Sequence, residues 1–478
     1  MRIYIDTELI DDSYEGDNSL YIKNGGLDQV IEVSNTDETY HFNGFYKTKN
    51  DSDLSWMGLS FYDKNYKLID EKTISLNDSE EFTKFDISAT STNKTRYIQV
   101  RVWNDSSSEK GGIVLDKLML STNGCYDYVA ASSLPPKNMA ISQSPQFVVI
   151  GFDDNTKSEG IEWAINLFKD KKNHDGSEAR VSFYLNTEGF TTWMEDDPEK
   201  LIKSVKLLAA DNHEIGNHTY DHFKDKNEEY IKELDENGWF NIINKSSNDL
   251  VDIAGIDRDK IYGFRAPYLV YTKNTFSVLK SLGFSYDCSI EEGSAQMYDG
   301  TNFRWPYQLN QGSPGHEENW YGNPDNPDHI SIGKVTGLWE LPNHVLMIPN
   351  DDICENYGIS EGLWDKIKNK IKGVHDHKIT GFDYNLWDLA ALNKTEVLGI
   401  LKYNLDLRLK GNRAPFMFGA HTQYYTSSWA DTNAENATSS QMREAIEEFV
   451  EYALSKKEVR IRPAIDIINW CSNPTPIN

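Results

Sequence analysis

Short runs of alternating apolar and polar positions dominate the first 122 residues and are separated by Asn, Asp, Ser and Gly. Seven runs carry this period of two: SLYIKN, QVIEVSN, YHFNGFYKT, MGLSFYD, FTKFDIS, RYIQVRVWN and GIVLDKLML. A period of two places successive side chains on opposite faces of a strand, so each run predicts a half-buried strand. The pattern therefore predicts an all-β sandwich for residues 1–122.

The pattern changes after residue 145. Residues 123–145 include SSLPPKN, in which Pro-Pro disfavours helix, and we interpret them as a connector. Helical periodicity then marks residues 160–170, 198–210, 228–250, 388–409 and 441–456, whereas strand signals mark residues 147–150, 181–186, 338–347, 416–421 and 459–468. This alternation predicts a parallel α/β barrel or a related sheet for residues 146–474. Regular patterning fails at residues 291–336, which we interpret as a substrate-facing rim.

Residues able to bind a metal follow the apolar runs. The run at 147–150 leads into Asp153 and Asp154, at the strand end where parallel α/β folds place their chemistry. His218 and His222 in NHEIGNHTYDH stand four residues apart, and on a helical turn both imidazoles would leave the same face. A catalytic zinc usually has three protein ligands, so this pair needs a third. The ordinary interpretations are a surface His pair and a helix-capping Asp pair.

Two further segments in the same order, GFRAPY and FMFGAHTQYY, favour a site over those interpretations. The succession of motifs resembles the NodB-type polysaccharide deacetylases (carbohydrate esterase family 4), and within them the insect-type chitin deacetylases. The resemblance covers residues 134–474 and is carried by PQFVVIGFDDN, YGFRAPYL, YDCSI, RWPY, LWELPNH, NRAPFMFGAHTQYY and INWCSNPT. It implies an incomplete, distorted (β/α) barrel and removal of acetyl groups from N-acetylglucosamine units of chitin or chitooligosaccharides.

One carboxylate and two imidazoles suit zinc, although cobalt, nickel and other divalent ions fit the same donors. We predict Asp154, His218 and His222 as the ligands of a divalent metal, which we expect to be Zn²⁺. Asp153 is then free to act as general base on a water molecule. The resemblance assigns the same roles to these positions.

The resemblance implies roles for four further residues. Arg265 would pair with Asp153 and hold its orientation, and Tyr268 would bind the oxyanion through its backbone amide. His421 would be the general acid that protonates the departing amine. Trp339 would form a wall of the acetyl pocket.

The chain departs from the family pattern at two places. Gly419 stands where many members carry a leucine that lines the acetyl pocket. The acid that supports His421 lies in a motif that does not align, and Glu340 and Asp466 are both candidates.

Aromatic residues are the candidates for sugar contacts. Residues 1–122 also resemble jelly-roll carbohydrate-binding modules, which implies stacking of pyranose rings on exposed aromatics; Trp56, Tyr62 and Trp103 are the candidates, with a core position as the alternative for Trp103. In the rim, Trp305, Tyr307 and Trp320 are candidates for subsites, with packing against the barrel edge as the alternative for at least one of them.

Composition limits the partners. The net charge is -27, from 75 acidic and 48 basic residues, which disfavours nucleic acid and anionic membranes. No run of eighteen apolar residues occurs, so we expect no membrane span. The start MRIYIDTELI has no secretory signal features, and we expect a secreted or cell-surface monomer whose signal was removed. Of the four cysteines, Cys125 could pair with Cys471, or all four could be reduced.

Other functions fit parts of this pattern. The same fold could act on peptidoglycan or on acetylxylan, and acetate release from each polymer would separate these activities. A non-catalytic glycan-binding protein is disfavoured because the whole set of motif residues is present. A metal-dependent amidohydrolase acting on a small, non-sugar substrate is disfavoured by the β-sandwich and the aromatic rim.

Overall fold

The computed structural model describes residues 2–4, 7–10, 12–14, 19–33, 38–49, 55–104, 111–121, 128–193, 196–224, 226–319 and 330–477. The chain forms two compact units, Met1–Asp127 and Tyr128–Asn478. Residues 128–145, which the sequence placed in a connector, belong to the second unit. The reason is hydrogen bonding: the Trp305 amide donates to the Ser132 carbonyl, and the Arg413 guanidinium donates to the Ser144 carbonyl.

The first unit is the predicted all-β sandwich. Its described strands are β1 (Arg2–Tyr4), β2 (Thr7–Ile10), β3 (Ser19–Ile22), β4 (Gly25–Glu32), β5 (Thr39–Lys49), β6 (Ser55–Tyr62), β7 (Leu68–Ser75), β8 (Thr83–Thr90), β9 (Tyr97–Asn104) and β10 (Gly112–Ser121). They form two antiparallel sheets of five strands, ordered β1-β4-β9-β6-β7 and β2-β3-β10-β5-β8. Strands β1, β2 and β7 were not predicted; β7 is a mostly exposed edge strand, LIDEKTIS, whose polar sequence lacks the apolar alternation.

Alternation fixes the two faces of each sheet. On β6, Met57, Leu59 and Phe61 are buried in the core of the unit, so the residues between them point to the outer face. The β9 residues that pair with them, such as Val102 opposite Met57, are buried in the same core.

The second unit is an α/β domain. Its strands are β11 (Gln146–Asp153), β12 (Ser182–Leu185), β13 (Glu214–Asn217), β14 (Gly263–Phe264), β15 (Tyr286–Asp287), β16 (Glu291–Glu292), β17 (Tyr307–Gln308), β18 (Trp339–Glu340), β19 (Asn343–His344), β20 (Leu346–Met347), β21 (Lys378–Ile379), β22 (Phe416–His421) and β23 (Val459–Ile461). Its helices are α1 (Ser158–Phe168), α2 (Pro198–Ala210), α3 (Glu228–Lys232), α4 (Glu236–Asp252), α5 (Lys273–Ser281), α6 (Pro314–Glu318), α7 (Asp351–Cys354), α8 (Leu363–Lys370), α9 (Lys394–Lys410), α10 (Ser427–Asn433), α11 (Ser439–Leu454) and α12 (Ala464–Ser472).

The main sheet of this domain is open and curled. Its strands run in the order β17-β18-β15-β14-β13-β12-β11-β22, and β23 also pairs with β11. Only the β17–β18 pair is antiparallel among the described strands of this sheet. On β11, Val148 and Ile150 join the core that includes α1 and α2, whereas Phe147 and Val149 face a second core with Tyr184 and Tyr286. The described ends of the sheet, β17 and β22, do not pair, in agreement with the prediction of an incomplete barrel.

Several predicted elements differ from the structure. The helix predicted for residues 388–409 begins only at Lys394, and the strand predicted for residues 338–347 is the three short strands β18, β19 and β20. The helix predicted for residues 228–250 is two helices, because Asp235 caps α4 by accepting a hydrogen bond from the Gly238 amide. The strand predicted for residues 459–468 ends at Ile461, since Pro463 has no amide hydrogen for a strand ladder and instead precedes helix α12.

Three cysteines are described, and each has a buried free thiol: Cys288, Cys354 and Cys471. Because Cys471 is a free thiol, the predicted disulfide between Cys125 and Cys471 is wrong. Cys125 itself lies outside the described residues. Among the helices of the described ranges, none combines the length and apolar character needed to cross a bilayer.

Candidate active site

The candidate site lies at the carboxyl ends of neighbouring parallel strands. Asp153 ends β11 and pairs in register with His421, the last residue of β22. Asp154 follows β11, and His218 follows β13. Because parallel strands all end at the same edge of the sheet, residues far apart in sequence come together here.

Asp154, His218 and His222 converge as predicted. One ligand atom from each lies within 4.8 Å of the others. Asp154 Oδ1 is 3.5 Å from His218 Nε2 and 3.4 Å from His222 Nε2. The set of one carboxylate and two imidazoles, all converging on one point, fits a divalent cation such as zinc.

The local structure around the two histidines differs from the prediction. They lie in a turn after β13 and not on a helix, so the helical-face argument for their spacing is wrong. The turn brings the rings to a centroid distance of 4.9 Å by placing Thr219 and His222 in the left-handed region, at φ 67° and 53°. Asp154 has φ 62°. Left-handed backbone at non-glycine residues costs about 1–3 kcal/mol each and is concentrated at functional sites.

Burial and hydrogen bonds set the charge of the ligands. Burial lowers the pKa of His218 to about 4, and the neighbouring His222 acts in the same direction, against the opposing charges of Asp153 and Asp154. His218 is thus neutral at pH 7, and its Nδ1 lies 2.7 Å from the Arg265 carbonyl, which leaves Nε2 for a metal. Burial alone would raise the pKa of Asp154, but the neighbouring histidines and the Gln423 amide lower it to about 2.

Asp153 and Arg265 form the predicted ion pair. Arg265 Nη1 lies 2.7 Å from Asp153 Oδ1, and both residues are buried. The guanidinium also stacks 4.4 Å from the Tyr184 ring centroid. A side chain at Gly151 would bring its Cβ within 2.9 Å of the Arg265 nitrogens, so the glycine in GFDD makes room for this pair. An unpaired buried charge is costly, so each partner requires the other.

His421 is supported by Asp383, a residue that sequence analysis missed. Asp383 Oδ1 lies 2.7 Å from His421 Nδ1, and Asp383 Oδ2 accepts the His421 amide hydrogen at 2.9 Å. Although burial alone would lower it, the carboxylate of Asp383 raises the pKa of His421 to about 9. Burial in turn raises the pKa of Asp383. The Nδ1 contact leaves Nε2 available to a substrate.

The two acids proposed from sequence are placed elsewhere. Glu340 accepts a hydrogen bond from the Ile290 amide and interacts with Asp287, and Asp466 forms an ion pair with Arg462. A signal for Asp383 was present, since GFDY at 381–384 repeats the Gly-Phe-Asp of GFDD in β11. Asp383 also precedes a π-helical turn, Asn385–Leu389, a rare element that is frequent at functional sites.

Phe382 occupies the space beside Gly419. The two residues form a parallel bridge, and a Cβ at Gly419 would lie 2.2 Å from the Phe382 ring. The position where many family members carry leucine is therefore filled from the neighbouring segment, and Phe382 also faces Arg265 at 5.2 Å.

The aromatics proposed for the substrate rim are mostly interior. Trp305 and Tyr307 are 1% and 0% exposed. Trp305 donates to the Asn412 carbonyl, and the Tyr307 hydroxyl contacts Glu292, so neither offers a ring face to a sugar and their predicted subsite role is wrong. Trp339 is 7% exposed in the interior cluster, and its role as a pocket wall stays a prediction. Trp320 lies outside the described residues.

Two aromatic rings do flank the site. The Tyr268 side chain is 56% exposed and packs edge-on against His222 at 4.5 Å. Tyr424 stacks on His421 at 4.6 Å. Tyr268 has φ 57°, and its amide has no hydrogen-bond partner in the ranges that the structure describes, so its role toward an oxyanion stays a prediction.

The three aromatics proposed in the first unit share one face. Trp56 pairs in register with Trp103, and Tyr62 lies on the same outer face of β6. Between them runs a polar network in which the Tyr62 hydroxyl and Arg101 both donate to Gln99. None of the three aromatics belongs to the core cluster, so the alternative of a core position for Trp103 is wrong.

Comparison with known proteins identifies a matching family and a relative. Residues 141–286 match the family model described as polysaccharide deacetylase. Chitin deacetylase 8 of Bombyx mori is 23% identical over 358 residues, which cover 74% of this chain and 77% of that protein.

Solved structures give much weaker matches. The enzymatically active domain of tailspike protein 4 of bacteriophage CBA120 is 10% identical with a TM-score of 0.22, and the match covers 24% of this chain and 17% of that one. The CBM22-1 xylan-binding domain from Paenibacillus barcinonensis is 13% identical with a TM-score of 0.20, covering 25% of this chain and 82% of that one. TM-scores this low carry no argument.

The family match and the relative together decide the class of the protein. Residues 141–286 are a polysaccharide deacetylase domain, and the chain is a hydrolase of that class.

Proposed function

We propose that this enzyme is a metal-dependent deacetylase that hydrolyses the acetamido group of N-acetylglucosamine units in chitin or chitooligosaccharides and releases acetate. The observation that carries the proposal is the convergence of Asp154, His218 and His222 beside the Asp153–Arg265 pair and the His421–Asp383 pair. A ligand set, a base and an acid are thereby present at one edge of one sheet.

Asp154, His218 and His222 would hold the cation, which we propose is Zn²⁺. When bound, such an ion lowers the pKa of a water molecule and polarises a carbonyl oxygen. The neutral state of His218 and the ionised state of Asp154 are the forms that bind a cation.

The remaining residues account for the proton transfers. Asp153, held by Arg265, takes a proton from the attacking water as its oxygen bonds to the acetyl carbon. The amide of Tyr268 stabilises the negative oxygen that develops on that carbon. Asp383 stabilises the imidazolium form of His421. As the carbon–nitrogen bond breaks, this imidazolium gives the proton on its Nε2 to the departing amine nitrogen. Acetate and a free amino sugar are the products.

The first unit adds a proposed glycan-binding face. Trp56, Tyr62 and Trp103 surround hydrogen-bonding groups on the outer face of one sheet, and such a mixture of ring faces and polar groups suits a sugar. We propose that the enzyme acts as a monomer outside the cell or at its surface, since a polymeric glycan would be met there.

Acetate release from a panel of polymers tests the proposal. Purified enzyme is incubated with chitin oligomers, peptidoglycan and acetylxylan, with and without a chelator. We expect release from chitin oligomers that the chelator abolishes and that added zinc restores. Release only from peptidoglycan or acetylxylan would assign that substrate on the same fold, and release that the chelator leaves unchanged would contradict the metal site. Release from none would favour a non-catalytic glycan-binding protein.

A further inference from the structure

The two carboxylate oxygens of Asp154 have different surroundings. Oδ1 faces His218 and His222, at 3.5 and 3.4 Å from their Nε2 atoms. Oδ2 instead accepts a hydrogen bond from Gln423 Nε2 at 2.9 Å. The point where the three ligands converge is therefore on the Oδ1 side, where Asn186 Nδ2 also donates at 3.1 Å, whereas the Gln423 donor lies at Oδ2.

Gln423 is held firmly where it makes this contact. It lies in the turn after β22, and its carbonyl accepts hydrogen bonds from the amide and the hydroxyl of Thr426, at 3.2 and 2.6 Å. The preceding residue, Thr422, donates to Asn155 at 3.0 Å. The turn that carries Gln423 is thereby tied to the turn that carries Asp154.

The carbonyl oxygen of the Gln423 side chain makes no hydrogen bond among the described residues. This oxygen, Oε1, is buried. Leaving a buried acceptor unpaired costs about 1–3 kcal/mol. The orientation of the amide is nonetheless fixed, because only Nε2 can donate to a carboxylate. The interaction that Gln423 makes at this position is therefore the hydrogen bond that its Nε2 donates to Asp154.

We propose that Gln423 is a positioning residue for the metal ligand Asp154: it binds Oδ2, restricts the carboxylate to coordination through Oδ1, and fixes that oxygen toward the two histidines. The inference rests on the metal dependence proposed above. Groups that hydrogen-bond to metal ligands typically change metal affinity by about 10–100-fold when they are removed. Asn186 Nδ2 also contacts Asp154, but at Oδ1 (3.1 Å), so it does not duplicate the contact with Oδ2.

Zinc affinity of the full-length chain tests this role. Metal-free protein is titrated with Zn²⁺ in competition with a chromophoric chelator, for the unaltered chain, Gln423→Met and His218→Ala. Methionine matches the length of glutamine but cannot donate, so we expect Gln423→Met to bind zinc about 10-fold or more weakly. Gln143→Met makes the same change at an exposed residue away from the site and should leave the affinity unchanged.

Two further measurements separate positioning from damage to the fold. Circular dichroism and thermal unfolding of the metal-free proteins check that Gln423→Met is folded; if it is not, Gln423→Asn, whose shorter amide cannot span to Asp154, takes its place. At saturating zinc, we expect the turnover of the variant to recover to within about 2-fold of the unaltered enzyme, since the defect is in affinity.

The outcomes distinguish the two proposals. If His218→Ala loses zinc but a folded Gln423 variant binds it as tightly as the unaltered chain, the positioning role is overturned and the metal site stands. If the unaltered chain binds no zinc, the proposed metal dependence fails, and the role of Gln423 fails with it.

Discussion

Replacing Asp383 by asparagine isolates the contribution of its charge to His421. The carboxylate contacts both Nδ1 and the backbone amide of His421, and it offsets the burial that would otherwise lower the pKa of the imidazole. Asparagine has nearly the same shape but no charge, and its NH₂ group must face one of the two donors. In Asp383→Asn, the pKa of His421 should therefore fall from about 9 to the ordinary value of about 6.5 or below.

The size of the effect depends on pH. At pH 8, an imidazole with a pKa of about 9 is about 90% protonated, whereas one with a pKa of about 6.5 is about 3% protonated, so the acid form declines about 30-fold. At pH 6 the same comparison gives less than about a 2-fold difference. The loss of activity should therefore be large at alkaline pH and small at acid pH.

The assay is acetate release from chitin oligomers by zinc-loaded enzyme between pH 5 and pH 10. A cation at Asp154 lowers the pKa of His421 in both proteins. The measured quantity is therefore the difference in pH between the alkaline limbs of their two pH–activity profiles. Asp388→Asn, which neutralises a nearby partly buried acid without a described contact to His421, is the control and should not move the limb. An alkaline limb that stays in place in Asp383→Asn, or a loss that is equal at every pH, would refute the reasoning.

The raised pKa of His421 also predicts how the stability of the fold depends on pH. The pKa of His421 is raised in the folded state, so the protonated imidazole stabilises the fold fully below pH 6.5 and this contribution is lost as pH rises through about 9. The difference in melting temperature between the unaltered enzyme and Asp383→Asn should shrink over that window.

Three further substitutions test other parts of the site. Asp153→Asn should keep its zinc, measured by elemental analysis, and lose turnover by about 10²–10⁴-fold because the base is gone; normal turnover would exclude Asp153 as the base. Gly419→Ala should destabilise the α/β domain by about 1–3 kcal/mol in denaturant unfolding, because its Cβ would lie 2.2 Å from the Phe382 ring, and unchanged stability would show that the ring moves freely. Trp56→Ala should weaken retention of the full chain on insoluble chitin while turnover of short oligomers is unchanged; equal retention would point to another binding surface.

Local sequence patterns determined the secondary structure of most of the chain. Alternation on β6 puts Trp56 and Tyr62 on the face opposite Met57, Leu59 and Phe61, and this is a property of a strand that needs no tertiary information. In the second unit, helix α2 was predicted with the bounds that the structure has. The apolar run before Asp153 likewise predicted a strand that ends at residues of the candidate site.

The sequence by itself also indicated which residues meet: Asp154 follows an apolar run that predicted a strand, His218 and His222 stand four residues apart, and the order of these motifs resembles the polysaccharide deacetylases. It did not determine how they meet: the turn at His222 depends on left-handed backbone conformations that the surrounding structure enforces. Only the tertiary structure paired Asp383 with His421, since the bridge between Phe382 and Gly419 joins segments about forty residues apart in sequence. It also decided that Trp305 and Tyr307 are interior, because burial depends on every neighbouring element and an aromatic residue in an irregular segment carries no local signal of which way it faces.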